Sequence, residues 1–137
     1  MMTTTHLQID RDRWMAKING QLAFLEAAFS LLKQADFGGK VLTQIHRAVI
    51  AIRGTLRNAD APELEAFTCD LEDLLNLLRN GGARPTSEIR GVLRSSTRSL
   101  AAAVIALQRG ESGEREVERV RGELFSILLR NAVTVKR

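Results

Sequence analysis

The chain has 137 residues, 45% of them hydrophobic and 26% charged, a balance that predicts one folded domain over 1–137 and excludes a disordered tail protein. Its formal charge of +4 and sequence pI near 10.0 permit contact with nucleic acid, but 20 basic residues are interleaved with 16 acidic ones, so net charge alone decides little. One cysteine, Cys69, excludes an internal disulfide, and two histidines far apart offer no metal-ligand spacing. We expect a reduced, cytoplasmic setting, no metal and no cofactor.

Breakers divide the chain into five predicted helices. The first runs from about Asp10 to Lys33, with Trp14, Ile18, Leu22, Leu25, Phe29 and Leu32 at three- and four-residue intervals, and stops near Gly38 and Gly39. The second, from about Lys40 to Arg57, carries Val41, Ile45, Ala48, Ile52 and Leu56 on one stripe. "DAPE", Asp60 to Glu63, offers an N-cap with a carboxylate three residues on and starts a third helix with Leu64, Phe67, Leu71, Leu74 and Leu78, ended by Gly81 and Gly82. "RPTSE", Arg84 to Glu88, opens a fourth with Ile89, Leu93, Leu100, Val104 and Leu107, closed at Gly110. A fifth, from about Gly113 to Ala132, carries Val117, Val120, Leu124 and Leu128. The charges of its "EREVERVR" stretch read as a solvated face.

Composition agrees with helix: aromatics are 4%, Tyr is absent and there are 2 Pro. Five amphipathic helices joined by short loops predict an all-α fold, an antiparallel up-down four-helix bundle with a fifth helix packed alongside. No run reaches the length of a membrane span, and "MMTTTHLQIDRDRW" lacks an apolar signal core, so no membrane partner is expected.

In the second helix Ile50 breaks the pattern. At about 100° per residue it falls roughly 160° from the centre of the stripe and points to solvent. Around it lie Thr43, His46, Arg47, Arg53, Gly54 and Arg57, and from Lys40 through Arg57 there is no acidic residue. The third helix carries Asp60, Glu63, Glu65, Asp70, Glu72 and Asp73. A basic ridge with a gap at Gly54 suits an acidic or phosphate-bearing surface, because arginine makes planar, charge-assisted hydrogen bonds.

The stretch "IHRAVIAIRG", Ile45 to Gly54, resembles the phosphotransfer helix of histidine phosphotransfer domains, above all the N-terminal domain of chemotaxis histidine kinases. That pattern reads apolar, Phe, Arg, Ala, Ala, His, Ser or Thr, Ile, Lys, Gly. Ile45, Arg47, Ala48, Ile52 and Gly54 keep it, Arg53 replaces Lys, and His46 takes the Phe position. "LEDLLNLLRNG", Leu71 to Gly81, is similar to the family's third helix, where Glu72 matches the acid that orients the acceptor imidazole. The Gly- and Phe-rich stretch that usually follows the motif is replaced by "TLRNAD", Thr55 to Asp60.

The resemblance implies the bundle fold over nearly the whole chain, and it puts the phosphoacceptor at Ile50. An aliphatic side chain has no lone pair with which to take a phosphoryl group. The implied protein is a non-catalytic pseudo-phosphotransfer module that docks a response-regulator receiver domain or a histidine kinase through Thr43, His46, Arg47, Ile50, Arg53, Gly54 and Arg57. Three alternatives stay open: an active phosphotransfer protein using His46, a helical adaptor or nucleic-acid binder using the basic ridge, and a homodimer through Ile50. His46 reads as a partly buried structural residue, Glu72 with Arg53 as an ion pair worth under about 1 kcal/mol, and Cys69 as an inert helix residue.

Overall fold

A computed structural model describes the backbone over residues 2–31 and 39–135 and the side chains over 13–30 and 40–131. The described residues form five helices and no strand: α1 (Met2–Leu31), α2 (Gly39–Asn58), α3 (Pro62–Asn80), α4 (Ser87–Gln108) and α5 (Glu114–Val135). α1 begins eight residues before the predicted Asp10, while its predicted end, including Leu32, lies outside the described residues.

The apolar stripes meet in one core to which every helix contributes, among them Ile18 and Leu25, Ile45 and Ile52, Phe67 and Leu74, Leu93 and Leu100, and Leu124. α2 packs most extensively on α3 and α4 on α5; α1 lies against both α2 and α4, and α5 also lies against α3. Between α2 and α3, Arg57 meets Glu65, Arg53 meets Glu72 and His46 meets Arg79, so rising positions on one helix meet falling positions on the other.

Four stripes differ in detail from the sequence expectation, the first at Trp14 of α1, which is half-buried. On α2 the buried apolar side chains are Leu42, Ile45, Val49, Ile52 and Leu56, with Thr55 buried beside them, whereas Val41 is exposed and Ala48 half-buried. The two registers differ by a small rotation of the helix, because Val41 and Leu42 are both apolar and only packing against α1 and α3 chooses between them. On α4 Leu107 is half-buried, and on α5 Ile127 takes the core place expected of Leu128.

Turn chemistry sets the helix ends. Asp60 is not the N-cap of α3; Ala61 is, with no side-chain cap bond, and proline follows at the first helical position. Asp60 instead closes α2, with φ +56: its N–H donates to the Arg57 carbonyl at 3.1 Å and that of Ala61 to the Leu56 carbonyl at 3.1 Å. That is a Schellman turn with aspartate where glycine is commoner. Asp60→Gly should therefore stabilise the fold by about 0.5–1 kcal/mol, read as a rise in the urea midpoint at unchanged slope. Thr86 caps α4, its hydroxyl accepting from the Ile89 N–H at 3.2 Å. At the α4–α5 turn Gly110 and Gly113 have φ +83 and +79.

Buried polar groups are few. Thr68 and Thr97 donate to the carbonyls of Glu65 and Leu93. Ser96 is fully buried and its hydroxyl has no partner. Ser96→Ala removes that unpaired group at little cost in volume and should raise stability by about 1 kcal/mol in a denaturant titration.

Candidate functional site: the α2–α3 face

The site is built where α2 and α3 lie side by side. α2 carries no acid, and α3 presents Glu65, Cys69, Glu72 and Arg79 at three-, four- and seven-residue intervals, which keeps them on one face. This spacing converts two sequence-distant segments into a ladder of polar contacts. Arg57 Nε donates to Glu65 Oε2 at 2.8 Å. One step along, Arg53 Nη1 lies 2.7 Å from Glu72 Oε2 and 3.9 Å from the Cys69 sulfur. At the far end Arg79 Nη1 lies 3.1 Å from His46 Nδ1.

The Arg53–Glu72 contact is partly shielded, with side-chain exposures of 30% and 17%. The distance is that of a close ion pair, but no N–H is aligned on Glu72 Oε2, which is buried and otherwise unpartnered. Such a partly solvated pair adds little to stability. Its effect is positional: the carboxylate is committed to Arg53.

His46 sits half-buried beside this pair. Arginine has only donors, so Arg79 donates to Nδ1, which must be the unprotonated nitrogen. The ring proton then sits on Nε2, which is buried and has no hydrogen-bond partner. Burial foremost, then the positive charge of Arg79, push the imidazole pKa below its ordinary value; Glu72 acts the other way and Arg53 adds to the lowering. On the α5 side of α3, Asp73 is raised by desolvation first and then by the neighbouring charges of Asp70 and Glu72, although much of its side chain reaches solvent.

Ile50 is 36% exposed. Measured from the observed apolar stripe it lies about 120° from the centre rather than 160°, nearer the α3 side than the sequence register implied. It shares this outer flank with His46, Arg53 and Arg57. Arg47 and Gly54 face further out and are exposed; a Cβ added at Gly54 would meet nothing within 4 Å, so the fold places no steric demand on that position. Thr43 is half-buried one turn before. The structure thus gathers His46, Arg53 and Arg57 into the ladder, and leaves Arg47 and Gly54 on the open surface.

Sequence reasoning did not include Arg79. Its signal was present: it stands seven residues after Glu72, two turns along the same face of α3. The Arg53–Cys69 proximity was hidden by a separation of 16 residues. Away from this face, the α4–α5 groove holds a hollow of about 680 Å³ lined by Gly91, Ser95, Gly122 and Ser126 among others, and none of the predicted site residues line it. Within the stretch of α5 that follows the "EREVERVR" charges, Phe125 and Leu129 are 60% and 54% exposed, one turn apart.

Among the described residues no group of three or more His, Cys, Asp or Glu is placed to hold a metal ion, and no helix is long and apolar enough to cross a membrane. The α2–α3 face thus sets Arg47, Arg53 and Arg57 around a partly exposed aliphatic side chain, with Arg53 and Arg57 engaged by Glu72 and Glu65. No protein-family model matches the chain, and no curated protein matches it.

Proposed function

We propose that this chain is a non-catalytic, histidine-phosphotransfer-like docking module of bacterial two-component or chemotaxis-type signalling, which binds a response-regulator receiver domain or a histidine kinase through the basic face of α2 without relaying phosphate. In this reading α1 to α4 form an antiparallel up-down bundle with α5 behind it, and the protein works in the cytoplasm.

The observation that carries the reading is Ile50: partly exposed, on an acid-free helix, flanked by arginines, at the position where the resemblance calls for the phosphoacceptor. Nucleophilic attack on a phosphoryl group needs a lone pair that isoleucine lacks. His46 does not stand in for it, since Nδ1 is engaged by Arg79 and Nε2 is buried, so neither nitrogen is presented to a phosphoryl donor. Glu72, the acid that would orient an acceptor ring, is taken by Arg53.

The test is recovery of partners from the producing cells by wild type and Ile50→Asp, with circular dichroism confirming that the variant folds. Capture of a receiver-domain protein or histidine kinase by wild type alone supports the reading with Ile50 at its centre. Capture of the same partner by both retains the module and removes Ile50 from its contact. An acid-labile phosphoryl group lost on His46→Ala would replace the proposal with an active phosphotransfer protein, and steeply salt-dependent binding to DNA or RNA would replace it with a nucleic-acid binder.

A further inference from the structure

At the far end of the α2–α3 ladder, His46 and Arg79 are bonded in a way that only one protonation state allows. Arg79 Nη1 must donate, so the 3.1 Å contact requires a lone pair on His46 Nδ1. A proton taken from water onto Nδ1 turns that acceptor into a donor and leaves two cationic donors facing each other. The bond cannot survive the step.

We infer that His46 and Arg79 form a latch on the α2–α3 face that acid releases, freeing the Arg79 guanidinium to meet an acidic partner. Its effect on partner binding rests on the docking reading above; the latch itself does not.

Every charged group that bears on the ring enters the balance. Arg53 reaches it from α2, and Glu72 and Arg79 from α3. Burial, Arg79 and Arg53 disfavour the imidazolium, and Glu72 favours it. The release therefore lies below the ordinary imidazole value of 6.5. Glu72, though paired with Arg53, is the one of these groups whose charge favours the protonated ring. The freed arginine remains in the last turn of α3, where a cation is favoured by the helix dipole. After release the face carries an imidazolium and an unengaged guanidinium near Ile50, so its attraction for acidic surfaces grows.

Linkage gives the sign for stability. With the native pKa below the unfolded one, the unfolded chain takes the proton first as pH falls. Stability is thus intact above about 6.5 and declines as pH drops through the interval down to the native midpoint.

The test is a titration of the ¹⁵N-labelled full chain from about pH 8 to about pH 4.5, following the ring nitrogens of His46, with the ordinary imidazole value of 6.5 as the reference. At high pH the ring of His46 should show a protonated Nε2 and a bare Nδ1, and its midpoint should lie below 6.5. Arg79→Met, which deletes the donor and the charge, should raise that midpoint by about half a unit or more, while Arg79→Lys should keep it low. A ring protonated on Nδ1 in the wild type, or a midpoint unmoved in Arg79→Met, would overturn the latch. With a captured receiver or kinase, wild-type affinity should rise severalfold as pH falls through the midpoint, and in Arg79→Met it should rise by less, since only the imidazole charge then changes. A wild-type affinity indifferent to pH would overturn the regulatory role. Absence of any signalling partner at any pH would defeat the docking reading instead, and the spectra would still decide the latch.

Discussion

Gly113→Ala should destabilise the protein by about 3 kcal/mol and lower its melting temperature by roughly 10 °C, whereas Gly110→Ala, three residues earlier, should cost only about 1 kcal/mol. Both glycines have positive φ, +83 at Gly110 and +79 at Gly113, so each substitution forces an L side chain into the left-handed region. Their surroundings differ. A Cβ on Gly110 would meet nothing within 4 Å, so only backbone strain is at stake. A Cβ on Gly113 would stand 2.9 Å from the Ala103 carbonyl oxygen, 3.0 Å from the Ala103 Cβ and 3.1 Å from Leu64 Cδ1. Two of those atoms belong to the backbone and Cβ of α4 and cannot swing aside; the third is a core side chain of α3. To accept the methyl, α5 must move off both helices at its first turn. The difference of about 2 kcal/mol between the variants measures that close approach, and equal losses would show that α5 is not seated there as tightly as the geometry requires.

The same turn shows how much of the fold the sequence discloses. Gly110 and Gly113 mark the break between α4 and α5 without ambiguity, as Gly81 marks the end of α3, because positive φ is what glycine supplies cheaply. The α3 stripe was legible in full for a similar reason: Leu64, Phe67, Leu71, Leu74 and Leu78 alternate strictly and are all buried. Where two adjacent positions are both apolar, periodicity cannot choose. Val41 and Leu42, Ala48 and Val49, and Ile127 and Leu128 are such pairs, and in each the neighbouring helix decided. Asp60 was misplaced because aspartate favours both an N-cap and a left-handed C-cap, and the hydrogen bonds from Asp60 and Ala61 back to α2 are tertiary in consequence but local in origin. The candidate site was legible along α2, where charge pattern and resemblance act within one helix. Across α2 and α3 it was legible only in part, since pairing His46 with Arg79 requires the register between two helices, and that register comes from the core.

On the docking reading proposed above, Ile50→Asp should weaken binding of the receiver or kinase by at least about 30-fold, roughly 2 kcal/mol, while changing the stability of the free protein by no more than about 0.5 kcal/mol. The separation of the two effects follows from where Ile50 stands. It is 36% exposed and outside the core cluster, so little apolar packing is lost on substitution. A carboxylate there also falls on a helix without another acid and near Arg53 and Arg57, where its charge is not repelled within α2. In the proposed complex the same carboxylate would stand at the centre of the contact, where burial would strip its water and the isoleucine's apolar contact would be gone. Arg47→Glu should act differently. Arg47 is exposed on the open side of α2, so reversing its charge should slow association and lessen the dependence of binding on salt, with a smaller change in dissociation. Surface plasmon resonance separates the two kinds of effect. If Ile50→Asp changes only the association rate, as a rim charge does, the isoleucine lies at the edge of the interface and the arginines, not the vacated acceptor position, define its centre.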